Sequence, residues 1–110
     1  MKAGKFKKQP YEYWKIAANF ANNMDIAGGE DLVLGNCTVT ATDKDGNDAT
    51  SDVTDQSTKA IGTGTEKGYL WILIKAGTVA LSPYKITFRT GDTTVSEGWE
   101  KDVIMSIKEI

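Results

Sequence analysis

Six consecutive apolar residues, Tyr69 to Ile74 in GYLWILIKAG, constrain this chain more than any other feature of it. A membrane-spanning helix needs about 20 such residues, so the run is far too short to be one. Bounded by glycines and rich in aromatic and branched residues, it reads as a strand. Successive strand side chains point to opposite faces, which puts Leu70, Ile72 and Ile74 on one side and Tyr69, Trp71 and Leu73 on the other. A two-layer sandwich gives each strand only one core face. The second face is therefore either covered from within the chain or an interface, and Tyr69, Trp71 and Leu73 become candidate contact residues.

The rest of the chain divides into short alternating runs separated by polar, turn-rich segments, the pattern of an all-β sandwich rather than of alternating strands and helices. In LVLGNCTVTAT the residues Cys37, Val39 and Ala41 fall on one face and Thr38, Thr40 and Thr42 on the other. In PYKITFRT the inward set is Tyr84, Ile86 and Phe88, and in EKDVIMSIKEI it is Val103, Met105 and Ile107. Further short strands are expected near Val53 and over Thr58 to Gly62. A strand starting near Tyr11 would place Trp14, Ile16, Ala18 and Phe20 together, whereas a helix over the same segment would gather Trp14, Ala17, Ala18 and Ala21, and periodicity leaves both open. About seven strands result. The 110 residues suffice for one domain, expected over residues 11–110, with residues 1–10 as a basic N-terminal arm beside it.

The net charge of −2 conceals a segregation. Residues 1–20 carry five lysines against Glu12, whereas residues 21–66 carry nine acidic residues against Lys44 and Lys59. An acidic body repels a phosphate backbone, so nucleic acid is not an expected partner. The arm residues Lys5, Lys7 and Lys8 are instead candidates for pairing with the acidic edge of a neighbouring subunit, and Trp99 is a further candidate contact. No apolar core of a signal peptide interrupts the basic opening, and a soluble product is expected.

TATDKDGNDATSDVTD, Thr40 to Asp55, concentrates five aspartates. An EF-hand loop counted from Asp43 matches at Asp45 and Asn47 but has Asp48 where glycine is needed and Thr54 where a bidentate glutamate is needed. A hairpin tip with Asp43 opening a type I turn and Gly46 closing it explains the same residues without a ligand. A weak calcium site on Asp43, Asp45, Asp48 or Asp52 is the competing reading. Zinc, haem and imidazole chemistry lack their residues, since there is no histidine and Cys37 is the one cysteine. Carboxylates at Glu30, Asp31, Asp92, Glu97, Glu100 and Asp102 could supply acid–base pairs only if the fold brought two face to face. No enzyme activity and no cofactor are expected.

The order of these pieces, FANNMDIAGGEDLVLGNCTVTATDKDG, then DVT, then an isoleucine–glycine strand, then LWILIKAGTVALSPYKITFRT and a charged final strand opening at Glu100, resembles the small immunoglobulin-like structural proteins of tailed phages and prophages. The shared marks are the Gly29–Glu30 step, the TVTA strand, and a turn before a strand that begins with Tyr84. The resemblance implies an immunoglobulin-like antiparallel β-sandwich and a non-catalytic head–tail or tail-associated part of a virion. Its partners would be other virion proteins or further copies of itself, and its location the virion or the host cytoplasm. A carbohydrate- or surface-binding sandwich module, calcium-assisted, is the alternative that the aromatic residues suggest.

Overall fold

The computed structural model describes residues 2–24, 26–29, 31–91 and 98–108. Seven strands form two sheets: β1 (Lys2–Lys8), β2 (Trp14–Asn19), β3 (Thr38–Thr42), β4 (Thr54–Ile61), β5 (Tyr69–Ile74), β6 (Tyr84–Gly91) and β7 (Gly98–Ile107). The larger sheet has the order β1-β7-β6-β3 and the smaller the order β2-β5-β4. All pairs are antiparallel except β1 and β7, which run parallel with Phe6 opposite Met105. The sheet is thus mixed rather than purely antiparallel.

Alternation decides the core. Leu70, Ile72 and Ile74 from β5 meet Tyr84, Ile86 and Phe88 from β6, Val103, Met105 and Ile107 from β7, and Cys37, Val39 and Ala41 beside β6, all of them buried. The strand reading of the segment after Tyr11 holds: Trp14, Ile16 and Ala18 pair with Ile74, Ile72 and Leu70, and Phe20 is fully buried just beyond the strand end. The helical alternative survives only as the 3-10 turn Ala21–Asn23.

Two segments depart from the sequence expectation. Residues 1–10 do not stand beside the domain, because Lys2–Lys8 pair with β7 as an edge strand of the larger sheet. One inward aromatic anchors them, since Phe6 packs on the core with its ring 5.5 Å from that of Trp14. Lysines between such anchors are common on sheet edges, where they discourage unwanted pairing. The second departure is at Val53, where the short α1 (Thr50–Val53) replaces the expected strand. Local side-chain bonds compete with a ladder here: the Asp48 carboxylate accepts from the Thr50 N–H, and the Thr54 hydroxyl donates to the Thr50 carbonyl. The next strand then starts at Thr54 rather than Thr58, with its register broken between Asp55 and Ala60.

Gly68 fixes the approach to β5. It has φ +90°, its carbonyl accepts from the Phe20 N–H, and a Cβ there would lie 2.8 Å from the Ala21 Cα. We expect Gly68→Ala to cost about 2 kcal/mol or more through combined backbone strain and steric conflict. The loss should appear as a lower urea midpoint with an unchanged slope.

Candidate functional site

The outer face of the smaller sheet is built by the same alternation that builds the core. Tyr69, Trp71 and Leu73 stand opposite Asn19, Ala17 and Lys15 on β2, and Trp71 stands opposite Ala60 on β4. Small neighbours at Ala17 and Ala60 leave the Trp71 ring proud of the sheet. All three β5 side chains are half-buried, and the Tyr69 and Trp71 rings are stacked in near-parallel planes, with centroids 6.2 Å apart and planes 25° apart. Among the described residues no other strand packs over them, because the smaller sheet meets the larger one through its inner face.

An open groove of about 560 Å³ runs along β2, between Gly4 and Phe6 of β1 on one side and Tyr69 and Trp71 on the other. β1 and β2 are each the last strand of their sheet, so this side of the sandwich carries two open backbone edges. Exposed Lys5 and Lys7 on β1 and Lys15 on β2 flank it.

The opposite side, bounded by β3 and β4, is closed. The Lys59 ammonium donates to the Cys37 carbonyl at 2.7 Å and the Gln56 amide to the Val39 carbonyl at 2.9 Å. The Ala41 carbonyl accepts from the Ala49 N–H, and the Ala41 N–H donates to the Thr50 hydroxyl. The carbonyls of Cys37, Val39 and Ala41 and the Ala41 N–H are thereby bonded by groups from β4, α1 and the residue before α1.

Lys8 and Trp99 are placed differently from the other candidate contact residues. Lys8 follows Phe6 on the inner side of β1, is 2% exposed, and donates to the carbonyls of Gln9 and Glu12. Burial pushes its pKa below the usual lysine value, and the Glu12 charge offsets part of that effect. Its charge serves the β1–β2 corner, a turn that the Glu12 N–H closes onto the Gln9 carbonyl with Pro10 in its second position. Trp99 shares the inner side of β7 with Val103 and packs against the core rather than on an outer face.

The acidic loop forms the expected tip. The Asp43 carboxylate accepts from the N–H groups of Asp45 and Asn47, and the Gly46 N–H closes the turn onto the Asp43 carbonyl with Gly46 at φ +82°. The Asp48 carboxylate accepts from the Thr50 hydroxyl and N–H, and that of Asp55 from the Ser57 hydroxyl and N–H. These bonds hold both carboxyls below the usual aspartate range, the hydroxyl bond being the main cause in each case. Among the described residues no three acidic, histidine or cysteine side chains converge on one point. Asp45 and Asp52 are exposed.

The remaining carboxylates are dispersed. Glu100 pairs with Arg89 at 2.5 Å, raising the guanidinium pKa, and Asp102 accepts from the Thr87 hydroxyl. Glu30, Asp92 and Glu97 lie outside the described residues, and with Glu30 the Gly29–Glu30 step. Cys37 is buried, with its thiol 3.2 Å from the Val33 carbonyl and 3.1 Å from the Thr90 hydroxyl. No helix among the described residues is long and apolar enough to cross a membrane. Comparison with protein-family models, with curated proteins and with solved structures gives no match to this chain.

Two expectations follow. Lys8→Ala should cost about 2 kcal/mol, because it removes two charge-assisted bonds and leaves carbonyls unpaired, whereas Lys5→Ala and Lys7→Ala should stay within about 0.5 kcal/mol. Thermal or urea unfolding of the three variants checks this. A carboxyl whose folded pKa is depressed contributes stability above its unfolded pKa and loses it as pH falls through the folded pKa. The stability gap between wild type and Asp48→Ala should therefore be widest near neutral pH and shrink once pH drops below about 4.

Proposed function

We propose that this protein is a non-catalytic structural or assembly protein of a phage or prophage particle, an immunoglobulin-like sandwich that acts through protein–protein contacts. The observation that carries the contact role is the outer face of β5, where Tyr69, Trp71 and Leu73 lie side by side with no strand of the described residues over them. Tryptophan and tyrosine set among small neighbours are the usual anchors of protein interfaces, where a few such residues supply most of the binding energy. The particle assignment rests on the sequence resemblance.

Two features support the immunoglobulin-like assignment. With β2 to β7 taken as strands B to G, the sheets group as B, E, D and C, F, G, the division of constant-type immunoglobulin domains. Tyr84 opens β6 and its hydroxyl accepts from the Thr78 N–H at 3.1 Å, as a tyrosine corner does at the start of strand F. β1 pairs with the last strand rather than with β2, so the place beside strand B is vacant.

One observation favours the second reading, a carbohydrate- or surface-binding module: the stacked Tyr69 and Trp71 rings line an open groove, where an aromatic ring could pack against a sugar face. Sedimentation velocity over a concentration series, with wild type and Trp71→Ala, separates the two. The contact reading expects wild type to form a discrete larger species and Trp71→Ala to weaken it by about 2 kcal/mol, roughly thirtyfold in Kd. A persistent monomer that binds oligosaccharides only when Trp71 is intact would overturn it.

A further inference from the structure

The two sides of the sandwich differ in charge as well as in closure. On the open side Lys5, Lys7 and Lys15 are exposed, and the acid beside them among the described residues is Glu12, whose carboxylate accepts from the Gln9 N–H. On the closed side stand Asp43, Asp45, Asp48, Asp52 and Asp55, against Lys44, Lys59 and Lys75. Lys59 is engaged with the Cys37 carbonyl, and Lys75 lies near enough to Asp55 to lower its pKa. Basic and acidic surfaces therefore sit at opposite ends of each sheet, β1 and β2 at one end and β3 and β4 at the other.

We infer that the open β1–β2 side takes the acidic β3–β4 side of a second copy of this chain, giving head-to-tail association. Charge selects this occupant. A contact of two β1–β2 sides would set lysines against lysines, and one of two β3–β4 sides would set aspartates against aspartates, so each symmetric arrangement is repulsive. The closed side offers little free ladder along β3, because the Cys37 and Val39 carbonyls and both Ala41 backbone groups are already bonded. It meets its neighbour through the projecting Asp43–Asp52 loop, not by continuing a sheet. The groove beside β2, floored by Phe6 and Trp14, receives that loop, and the lysines around it meet the carboxylates. A contact between different surfaces of identical chains closes into a ring or runs on as a filament.

This inference rests on the contact role proposed above and shares Tyr69 and Trp71 with it, but Leu73 lies outside the groove and the charged residues lie outside the β5 face, so Leu73→Ser and the charge variants let the two fail separately. The test is sedimentation velocity at low salt and at about 0.5 M salt, where charges are screened within a few ångströms. The forms compared are wild type, Lys5→Glu/Lys7→Glu/Lys15→Glu, Asp45→Lys/Asp52→Lys, an equimolar mixture of the two variants, and Leu73→Ser, with circular dichroism confirming that each is folded. Wild type should associate at low salt, weaken at least about tenfold at high salt, and lose association in either charge variant. The mixture should associate again, because one variant is acidic on both sides and the other basic on both. Leu73→Ser, on the β5 face and outside the groove, should behave as wild type. A wild type monomeric at low salt, or association untouched by both charge variants, would overturn the inference. Association lost in Leu73→Ser but kept in the charge variants would assign self-contact to the β5 face alone.

Discussion

A strand in a two-layer sandwich has one core face, and β5 is apolar on both. Everything else in this molecule follows from how that excess is resolved. Leu70, Ile72 and Ile74 fill the centre of the core against β6 and β7, and each would cost about 2–5 kcal/mol if cut back to alanine. The same pleat sends Tyr69, Trp71 and Leu73 outward, where alanines, a lysine, an asparagine and an aspartate stand opposite them on β2 and β4. Core and candidate contact face are thus two sides of one six-residue strand.

The edges show a comparable division. At β3 three carbonyls and the Ala41 N–H are bonded by a lysine, a glutamine, a threonine and one N–H of the loop, drawn from α1 and β4 and the loop before them. Such capping removes a template for strand addition without adding a strand. At β1 and β2 the Asn19 carbonyl accepts from the Lys101 ammonium, but among the described residues no comparable set of bonds runs along the edge, and lysines stand there instead. The acidic loop is a turn whose carboxylates hold its own backbone, so its negative charge is displayed on a stiff projection. Stiffness limits the ordering cost of a contact made through it.

Much of this was legible from residue order. The inward faces of β3, β6 and β7 follow from alternation, because apolar residues recur at every second position with mostly polar ones between them, whereas β5, apolar on both faces, declares a strand but not which of its faces is core. The Asp43–Gly46 turn was legible because aspartate and glycine stand where a type I turn uses them. What pattern could not supply was pairing across the chain. β1 carries one inward aromatic among lysines, so composition reads it as an arm, and only the alternation of Phe6 between Lys5 and Lys7 hints at an edge strand. Lys8 looked like surface charge, yet it lies in phase with Phe6 and turns inward to cap a corner. The one-turn helix at Thr50–Val53 arises from side-chain bonds of Asp48 and Thr50, which outweigh the strand preference of an isolated valine. The groove along β2 depends on β1 and β2 ending their sheets on the same side, a property of topology that no local window contains.

Residue-resolved amide hydrogen exchange over a range of protein concentrations tests most directly the claim that one side of the sandwich is sealed and the other receptive. The account predicts that the Ala41 amide, bonded to the Thr50 hydroxyl at 2.9 Å, exchanges slowly at every concentration. The outward-facing half of the β2 amides should exchange quickly in dilute solution and slow as concentration rises. Equal protection of β2 and β3 in dilute solution, or β2 exchange that ignores concentration, would contradict it.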